Sequence, residues 1–166
     1  FSKEMNVKNI TSAEEMMIVV KKLLPADVVV CAAAVADFRP KKKEKNKIKK
    51  CNEAHSLLNL EKNTDILEYI GKSNKLKPKL LVGFSAETEN LIGNSIRKLN
   101  QKYCDMIIAN NISKKNTGFN VDYNKVSVIE KSGKIENIPK NKKSYIASKI
   151  AKKIIDKFLI NDKNTN

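Results

Sequence analysis

Residues 28–40 read VVVCAAAVADFRP, and this stretch decides the fold. Its apolar part, residues 28–36, predicts a strand that is buried on both faces of a parallel sheet. An acid, an aromatic and an arginine then follow as Asp37, Phe38 and Arg39. Open α/β sheets bind ligands outside the carboxyl ends of their strands. The stretch therefore predicts a ligand site beside Asp37, where the preceding small residues let a ligand come close to the backbone.

The segment that follows is strongly basic. Eight of the twelve residues 39–50 are Lys or Arg. Like charges this dense do not pack together, so the charged loop over 39–53 is a solvated surface loop unless a ligand neutralises it. An acid at a strand end followed by a basic flap suits an anionic, phosphorylated substrate. The two interpretations stay open on composition alone.

Apolar periodicity and turn residues predict alternating helices and strands. A capping-box pattern at residues 11–14 opens the first helix, whose core-facing side chains are Met16, Met17, Val20, Leu23 and Leu24. Asn63 or Thr64 caps the next helix, and Asp65 favours its positive end. Exposed amides at such a helix start can bind an anion or a nucleotide, although an ordinary capped helix fits equally.

The remaining segments complete an α/β pattern. We predict strands over 80–86 and 104–109, a helix from 87 to about 102, a hairpin over 126–136, and a helix over 143–160. This order predicts a three-layer α/β fold, with a Rossmann-like, mostly parallel sheet and a C-terminal β-hairpin and helix. We expect a single domain over residues 1–160 and a frayed tail at 161–166.

Composition narrows the class of partner. The net charge is +15, yet Arg39 and Arg97 are the only arginines, and aromatic residues make up 5% of the chain. Nucleic-acid binders usually read bases with arginine and stack them on aromatic side chains. The composition therefore favours an anionic small molecule over nucleic acid. No apolar run is long enough for a membrane span, and three widely spaced cysteines suit a reducing, cytoplasmic setting.

Several catalytic arrangements are missing from the sequence. The five glycines form no glycine-rich phosphate loop, and His55 is the sole histidine, which disfavours a Ser-His-Asp triad or a histidine metal site. Catalysis would have to use lysines, carboxylates and backbone amides. Lys98 and Lys102 are four residues apart on one predicted helix face, where like charges repel mildly. A shared phosphate would relieve that repulsion, but a solvated lysine face is equally compatible with the spacing.

Five motifs occur in order along the chain, at residues 32–40, 47–50, 62–67, 82–88 and 109–111. Together they resemble the phosphopantothenoylcysteine synthetase family, also called phosphopantothenate–cysteine ligase. In bacteria this is the C-terminal half of a bifunctional coenzyme A biosynthesis flavoprotein. The resemblance implies a Rossmann-like fold, a homodimer, and a flavoprotein decarboxylase domain that can be fused upstream. It implies CTP and Mg²⁺ as co-substrate and metal, and 4′-phosphopantothenate and cysteine as substrates.

The resemblance also implies roles for individual residues. Lys47 resembles the flap lysine that stabilises charge on the reacting phosphate and carboxylate, and is the predicted catalytic residue. Phe84 resembles a wall of the base pocket, and Lys98 and Lys102 resemble the pair that holds the triphosphate. The other predicted nucleotide contacts are Ala34, Asp37, Asn63, Thr64, Asp65 and Ile66. No protein side chain is predicted as a metal ligand.

The chain departs from the family pattern in two ways. An earlier strand, a Gly-Gly-Thr type loop and a Ser-Asn-Arg-Ser-Ser-Gly type segment have no counterpart here, so we expect this polypeptide alone to be inactive or poorly active. Asn111 stands where the family commonly has Asp, and Thr64 where it commonly has Pro. The alternatives are a nucleotide-dependent ligase of other base or acid specificity and a basic nucleic-acid-binding module.

Overall fold

The computed structural model describes residues 5–42, 46, 57–113 and 122–163. The elements, in chain order, are α1 (Ala13–Leu23), β1 (Val28–Cys31), β2 (Phe38–Pro40), β3 (Leu60–Lys62), α2 (Ile66–Lys72), β4 (Leu80–Glu87), α3 (Leu91–Gln101), β5 (Met106–Asn111), β6 (Tyr123–Glu130), β7 (Ile135–Lys142) and α4 (Lys143–Lys163). The chain divides into two compact units. The smaller unit is Phe1–Leu23 with Ala34–Ile66, and the larger is Leu24–Ala33 with Leu67–Asn166. The single domain over 1–160 stays a prediction.

The larger unit is built on a five-stranded mixed sheet of order β1-β4-β5-β6-β7. Strands β1, β4 and β5 run parallel, and β6 and β7 add an antiparallel hairpin. The turn of that hairpin contains Gly133 at φ +88°, a left-handed conformation that glycine adopts without steric cost. The predicted α/β class, the parallel core and the C-terminal hairpin are confirmed.

Helices cover both faces of this sheet because side chains alternate along each strand. On one face the strands form a buried cluster with α4, made of Leu80, Val82, Met106, Ile108, Val126, Val128, Ile138, Ile146 and Ile150. The intervening residues of β4 point to the other face. There a Cβ on Gly83 would lie 2.8 Å from Leu67 of α2, and Glu87 accepts a hydrogen bond from Asn94 of α3. The layers are therefore α4, the sheet, and α2 with α3.

The prediction for residues 28–36 was wrong in length and in burial. Strand β1 ends at Cys31, pairs only with β4 among the described strands, and leaves Val30 45% exposed. The small residues 32–36 leave the ladder as irregular, exposed backbone. An apolar run fits an edge strand followed by an extended alanine-rich segment as well as it fits a central strand, because periodicity alone does not separate the two.

The smaller unit contains α1 and a two-stranded antiparallel ribbon, β2 with β3, in which Arg39 pairs with Glu61. The capping box of α1 lies one residue later than predicted. The Ser12 hydroxyl accepts from the Glu15 amide at 3.1 Å, and the Glu15 carboxylate accepts from the Thr11 amide at 2.6 Å. Met17 is buried as expected, whereas Leu23 is 58% exposed and does not face the core.

Two helix boundaries also differ from the predictions. Glu87 closes β4, so α3 begins at Leu91, after Asn90 in a left-handed conformation, and not at residue 87. Helix α4 continues through Lys163, three residues beyond the predicted end at 160. No helix in the described ranges is long and apolar enough to cross a membrane.

Candidate functional site

The two predicted triphosphate lysines lie at the C-terminal end of α3. Lys98 is in the last turn, and the Lys102 amide, at the C-cap, donates to the Lys98 carbonyl at 2.9 Å. Tyr103 then takes a left-handed φ of 56°, and the Cys104 amide donates to Leu99 O. The left-handed Tyr103 and the bond from the Cys104 amide to Leu99 O belong to a Schellman motif, which satisfies carbonyls at the helix end. The predicted end near Lys102 is confirmed, and cations there complement the helix dipole.

A carboxylate that the sequence analysis missed lies beside Lys102. Glu68 of α2 accepts from Lys102 Nζ at 2.6 Å and from Lys72 Nζ at 2.5 Å. The hydrogen bonds from Lys102 and Lys72 lower the pKa of Glu68 from 4.5 to about 2. Glu68 therefore offsets positive charge at this helix end without a phosphate. The i,i+4 spacing of Glu68 and Lys72 was a visible signal, but the contact between α2 and Lys102 was not visible in the sequence.

Lys98 differs from Lys102 in its surroundings. Its side chain is half-buried, and no carboxylate pairs with it among the described residues. An ammonium group without a protein counter-ion retains its capacity to bind an anion. Within this pair, Lys98 is the cation whose charge the described protein leaves uncompensated.

Phe84, the predicted wall of the base pocket, is half-buried on β4 and packs against the cluster beneath α4. Its strand partner is Ile108 of β5, which faces the same way. Helix α3 lies on the opposite face of the sheet. The structure therefore does not bring the Phe84 ring and the α3 lysines onto one face of the sheet.

The smaller unit joins two of the predicted nucleotide-contact segments. The Asn63 amide donates to Asp37 O at 2.8 Å, and Asn63 Nδ2 donates to Ala36 O at 2.7 Å. Asn63 is 8% exposed. Its Oδ1 accepts from Arg39 at 2.9 Å, and Arg39 also donates to Glu61 at 2.7 Å. The Asp37 segment and the start of the 63–66 segment are thus held side by side.

These bonds correct two expectations. Asp37 does not follow the end of β1 directly, because the chain leaves the sheet after Cys31 and Asp37 precedes β2. Asn63 and Thr64 do not occupy the cap position, because α2 starts at Ile66 and Asp65 flanks it. The Asn63 carboxamide instead binds the 36–39 segment. Ala34 and Asp37 are exposed, and Lys47 lies outside the described residues, as do Cys51 and His55.

A groove of about 360 Å³ on the α3 face was also missed. Asn111, Lys125, Ser127 and Asn137 line it beside apolar side chains of α3 and β7. Ser127 is 4% exposed and its hydroxyl donates to Asn137 Oδ1 at 2.6 Å. Alternation within the hairpin could have placed Ser127 and Asn137 on one face, but the cross-strand register that pairs them needs the structure.

The described part of the chain has no group of three or more His, Cys, Asp or Glu side chains that could hold a metal ion. Mg²⁺ commonly binds through substrate phosphates with one or two carboxylates and several waters. A magnesium ion that arrives with a triphosphate is therefore compatible with this donor set.

Comparison with known proteins decides the family. The model for "DNA/pantothenate metabolism flavoprotein C-terminal domain" matches residues 1–158. The chain belongs to this family. Among curated members, the coenzyme A biosynthesis bifunctional protein CoaBC of Borreliella burgdorferi is 39% identical over 149 residues, which is 89% of this chain and 37% of that protein. The Bacillus subtilis CoaBC protein is 35% identical over 87% of this chain and 35% of its own length.

A third relative has a different name. A cysteine/cysteine sulfinic acid decarboxylase from an unknown prokaryotic organism is 36% identical over 155 residues, covering 93% of this chain and 43% of that protein. The chain thus spans less than half the length of each of these three relatives.

Solved structures show the same family fold. The crystal structure of the C-terminal domain of a CoaBC protein matches with a TM-score of 0.67 and 32% identity, covering 87% of this chain and 62% of that one. A DNA/pantothenate metabolism flavoprotein from Streptococcus pneumoniae matches with a TM-score of 0.68 at 19% identity, covering 95% and 73%, and supports the fold alone.

Proposed function

We propose that this chain is a phosphopantothenate–cysteine ligase domain that acts in coenzyme A biosynthesis with CTP and Mg²⁺. In this reaction the carboxylate of 4′-phosphopantothenate attacks the α-phosphate of CTP, which releases pyrophosphate and forms an acyl-cytidylate. The amino group of cysteine then attacks the acyl carbon, and CMP leaves as the amide forms.

The single observation that carries this proposal is the family match over residues 1–158, together with coenzyme A biosynthesis proteins at up to 39% identity. The basic end of α3 supports it, because Lys98 and Lys102 lie four residues apart at the two ends of one hydrogen-bonded turn. Cations in such an arrangement suit a multiply charged anion more than a neutral ligand.

The residues of the chain suit the chemistry of such a ligase. The substrate carboxylate is itself the nucleophile, so the protein needs no activated serine or cysteine. Cys104 is unsuited to nucleophilic attack in any case, because burial raises the pKa of its thiol to about 12. What remains for the protein is alignment of the reactants and stabilisation of developing charge by fixed cations and amides.

We assign the roles by position in the family pattern. Lys98 and Lys102 hold the triphosphate. Asp37, Ala34 and residues 63–66 contact the nucleotide. The Asn63 carboxamide holds the 36–39 segment, because it donates to Ala36 O and accepts from the Arg39 side chain. Lys47 stabilises charge at the reacting centre. Phe84 is left without a role at the same nucleotide, because its ring lies on the other face of the sheet from the α3 lysines. Mg²⁺, when bound, neutralises charge on the phosphate oxygens of the nucleotide.

Partners follow from the same proposal. The CoaBC relatives are named bifunctional, and this chain covers 37% and 35% of two of them. We propose that the chain works beside a flavoprotein decarboxylase domain, as a homodimer, with 4′-phosphopantothenate and cysteine as its small-molecule substrates.

Isothermal titration against a panel of nucleotides tests this function. We expect the chain to bind Mg-CTP more tightly than Mg-ATP, Mg-GTP or Mg-UTP. Preference for another base would favour a ligase of different specificity. Binding to duplex DNA alone, with affinity that falls steeply as salt rises, would favour a nucleic-acid-binding module and contradict the proposal.

A further inference from the structure

Three charged side chains meet where α2 contacts the end of α3. The Glu68 carboxylate lies between two ammonium groups, 2.6 Å from Lys102 Nζ and 2.5 Å from Lys72 Nζ. The side chains differ in exposure: Lys102 is 19% exposed and Lys72 is 55% exposed. Glu68 therefore holds one cation that is largely covered and one that is mostly in solvent.

We propose that Glu68 is a positioning residue for Lys102, and that it holds this ammonium group in place to bind the outer phosphates of a nucleoside triphosphate. The inference rests on the proposed function, since the anion is the triphosphate of CTP. Glu68 does not itself contact the nucleotide in this account. It acts through Lys102.

The backbone at this junction makes the arrangement rigid. Gly71 of α2 approaches the Lys102 carbonyl so closely that a Cβ at Gly71 would lie 2.0 Å from that oxygen. Glu68 is on the same short helix, three residues earlier. The close approach at Gly71 sets the spacing between the two helices, and the ion pair then fixes the direction of the lysine side chain.

Ordering the Lys102 side chain before the ligand arrives favours anion binding for two reasons. A lysine side chain loses substantial rotamer freedom when a ligand orders it, and a side chain that is already ordered loses less. The ordered ammonium group also keeps its positive charge, and charge-assisted hydrogen bonds to phosphate oxygens are stronger than neutral ones.

Simple charge neutralisation predicts the opposite result. If Glu68 only cancelled positive charge, then replacing it with glutamine would raise the local charge by one and tighten the binding of a triphosphate. If Glu68 positions Lys102, the same replacement weakens binding even though the site becomes more positive. The direction of the change separates the two accounts.

The test compares Mg-CTP with CMP, which lacks the outer phosphates, by isothermal titration of the chain and its Glu68→Gln variant. We expect the variant to lose about fivefold in CTP affinity while its CMP affinity stays unchanged. Glu68→Asp keeps the charge but shortens the side chain, so it should lose CTP affinity as well. In a Lys102→Ala background, Glu68→Gln should cause no further loss.

Glu136→Gln is the matched control, because it removes one carboxylate of a lysine ion pair on β7, with Lys153 as the partner. It should leave CTP affinity unchanged. Equal or tighter CTP binding by Glu68→Gln would overturn this inference and leave the proposed function standing. An equal loss of affinity for CTP and for CMP would also overturn it, because that result indicates a structural defect. A wild-type chain that binds CTP no better than CMP would instead contradict the proposed function.

Discussion

Gly71 and the carbonyl of Lys102 are in direct backbone contact, and any side chain at Gly71 would overlap it. This contact joins α2 to the C-terminal turn of α3, where the candidate triphosphate lysines lie. The packing of α2 on α3 and the geometry of the proposed triphosphate site therefore both depend on Gly71.

Replacement of Gly71 with alanine should destabilise the larger unit by about 1–3 kcal/mol, because the added Cβ would lie 2.0 Å from a backbone oxygen that cannot move aside alone. Urea unfolding measures the change. Gly93→Ala is the control, since the atoms nearest to its Cβ would belong to the flexible side chain of Asn90 and not to backbone. The control should be neutral or slightly stabilising, because alanine favours a helix. Equal stability of the two variants would contradict the close approach.

Removal of the Asn63 side chain should loosen the ribbon of β2 and β3. Asn63 is buried and its carboxamide bonds both Ala36 O and Arg39, so Asn63→Ala removes two hydrogen bonds at about 0.5–1.5 kcal/mol each. Hydrogen exchange in peptides covering 36–41 and 59–63 should become faster. Asn59→Ala, at an exposed side chain, should leave exchange unchanged. Unchanged exchange in Asn63→Ala would show that the carboxamide does not hold the ribbon.

Glu68 should make stability depend on pH in the acid range. Its folded-state pKa is about 2, below the ordinary value of 4.5, so the ion pairs stabilise the folded chain above pH 4.5. That contribution falls as the pH drops from about 4.5 to about 2. The difference in unfolding free energy between wild type and Glu68→Gln should shrink across this window. A difference that does not vary with pH would contradict the shifted pKa.

Cys104 should resist alkylation in the folded chain. Its side chain is 1% exposed, and burial raises the pKa of the thiol to about 12. At pH 8.5 iodoacetamide should leave the Cys104 peptide unmodified, as read by mass spectrometry, and should modify it fully in urea. Modification of the native chain at a rate similar to that in urea would show that the segment between α3 and β5 opens readily.

The larger unit was predictable because its signals are local. The runs at 80–86 and 104–109 are apolar and bounded by turn residues, and both became central strands. Strand β1 was mistaken for a central strand because burial depends on which strands lie beside it, and sequence periodicity carries no such information. The boundary of α3 moved for a related reason, since Glu87 extends β4 by pairing with Asn111.

The candidate site was predictable only in part. Helical spacing and the family resemblance identified Lys98 and Lys102, and the structure places them at one helix end. Glu68 was not predicted, because its partner lies 34 residues away in the sequence and the contact depends on the close approach at Gly71. The role of Asn63 was also misjudged, because it bonds a segment more than twenty residues earlier instead of capping its own helix.

The central claim is that the end of α3 binds the triphosphate. The most direct test measures the Mg-CTP affinity of the double variant Lys98→Ala, Lys102→Ala. Isothermal titration should show a loss of about tenfold or more relative to wild type, because the proposal assigns both cations to the triphosphate and a hydrogen bond to a charged group contributes about 1.5–3 kcal/mol. The double variant Lys131→Ala, Lys134→Ala removes the same charge from the exposed turn of the hairpin and should bind CTP normally. Unchanged CTP affinity in the Lys98, Lys102 double variant would contradict the assignment of the triphosphate site to the end of α3.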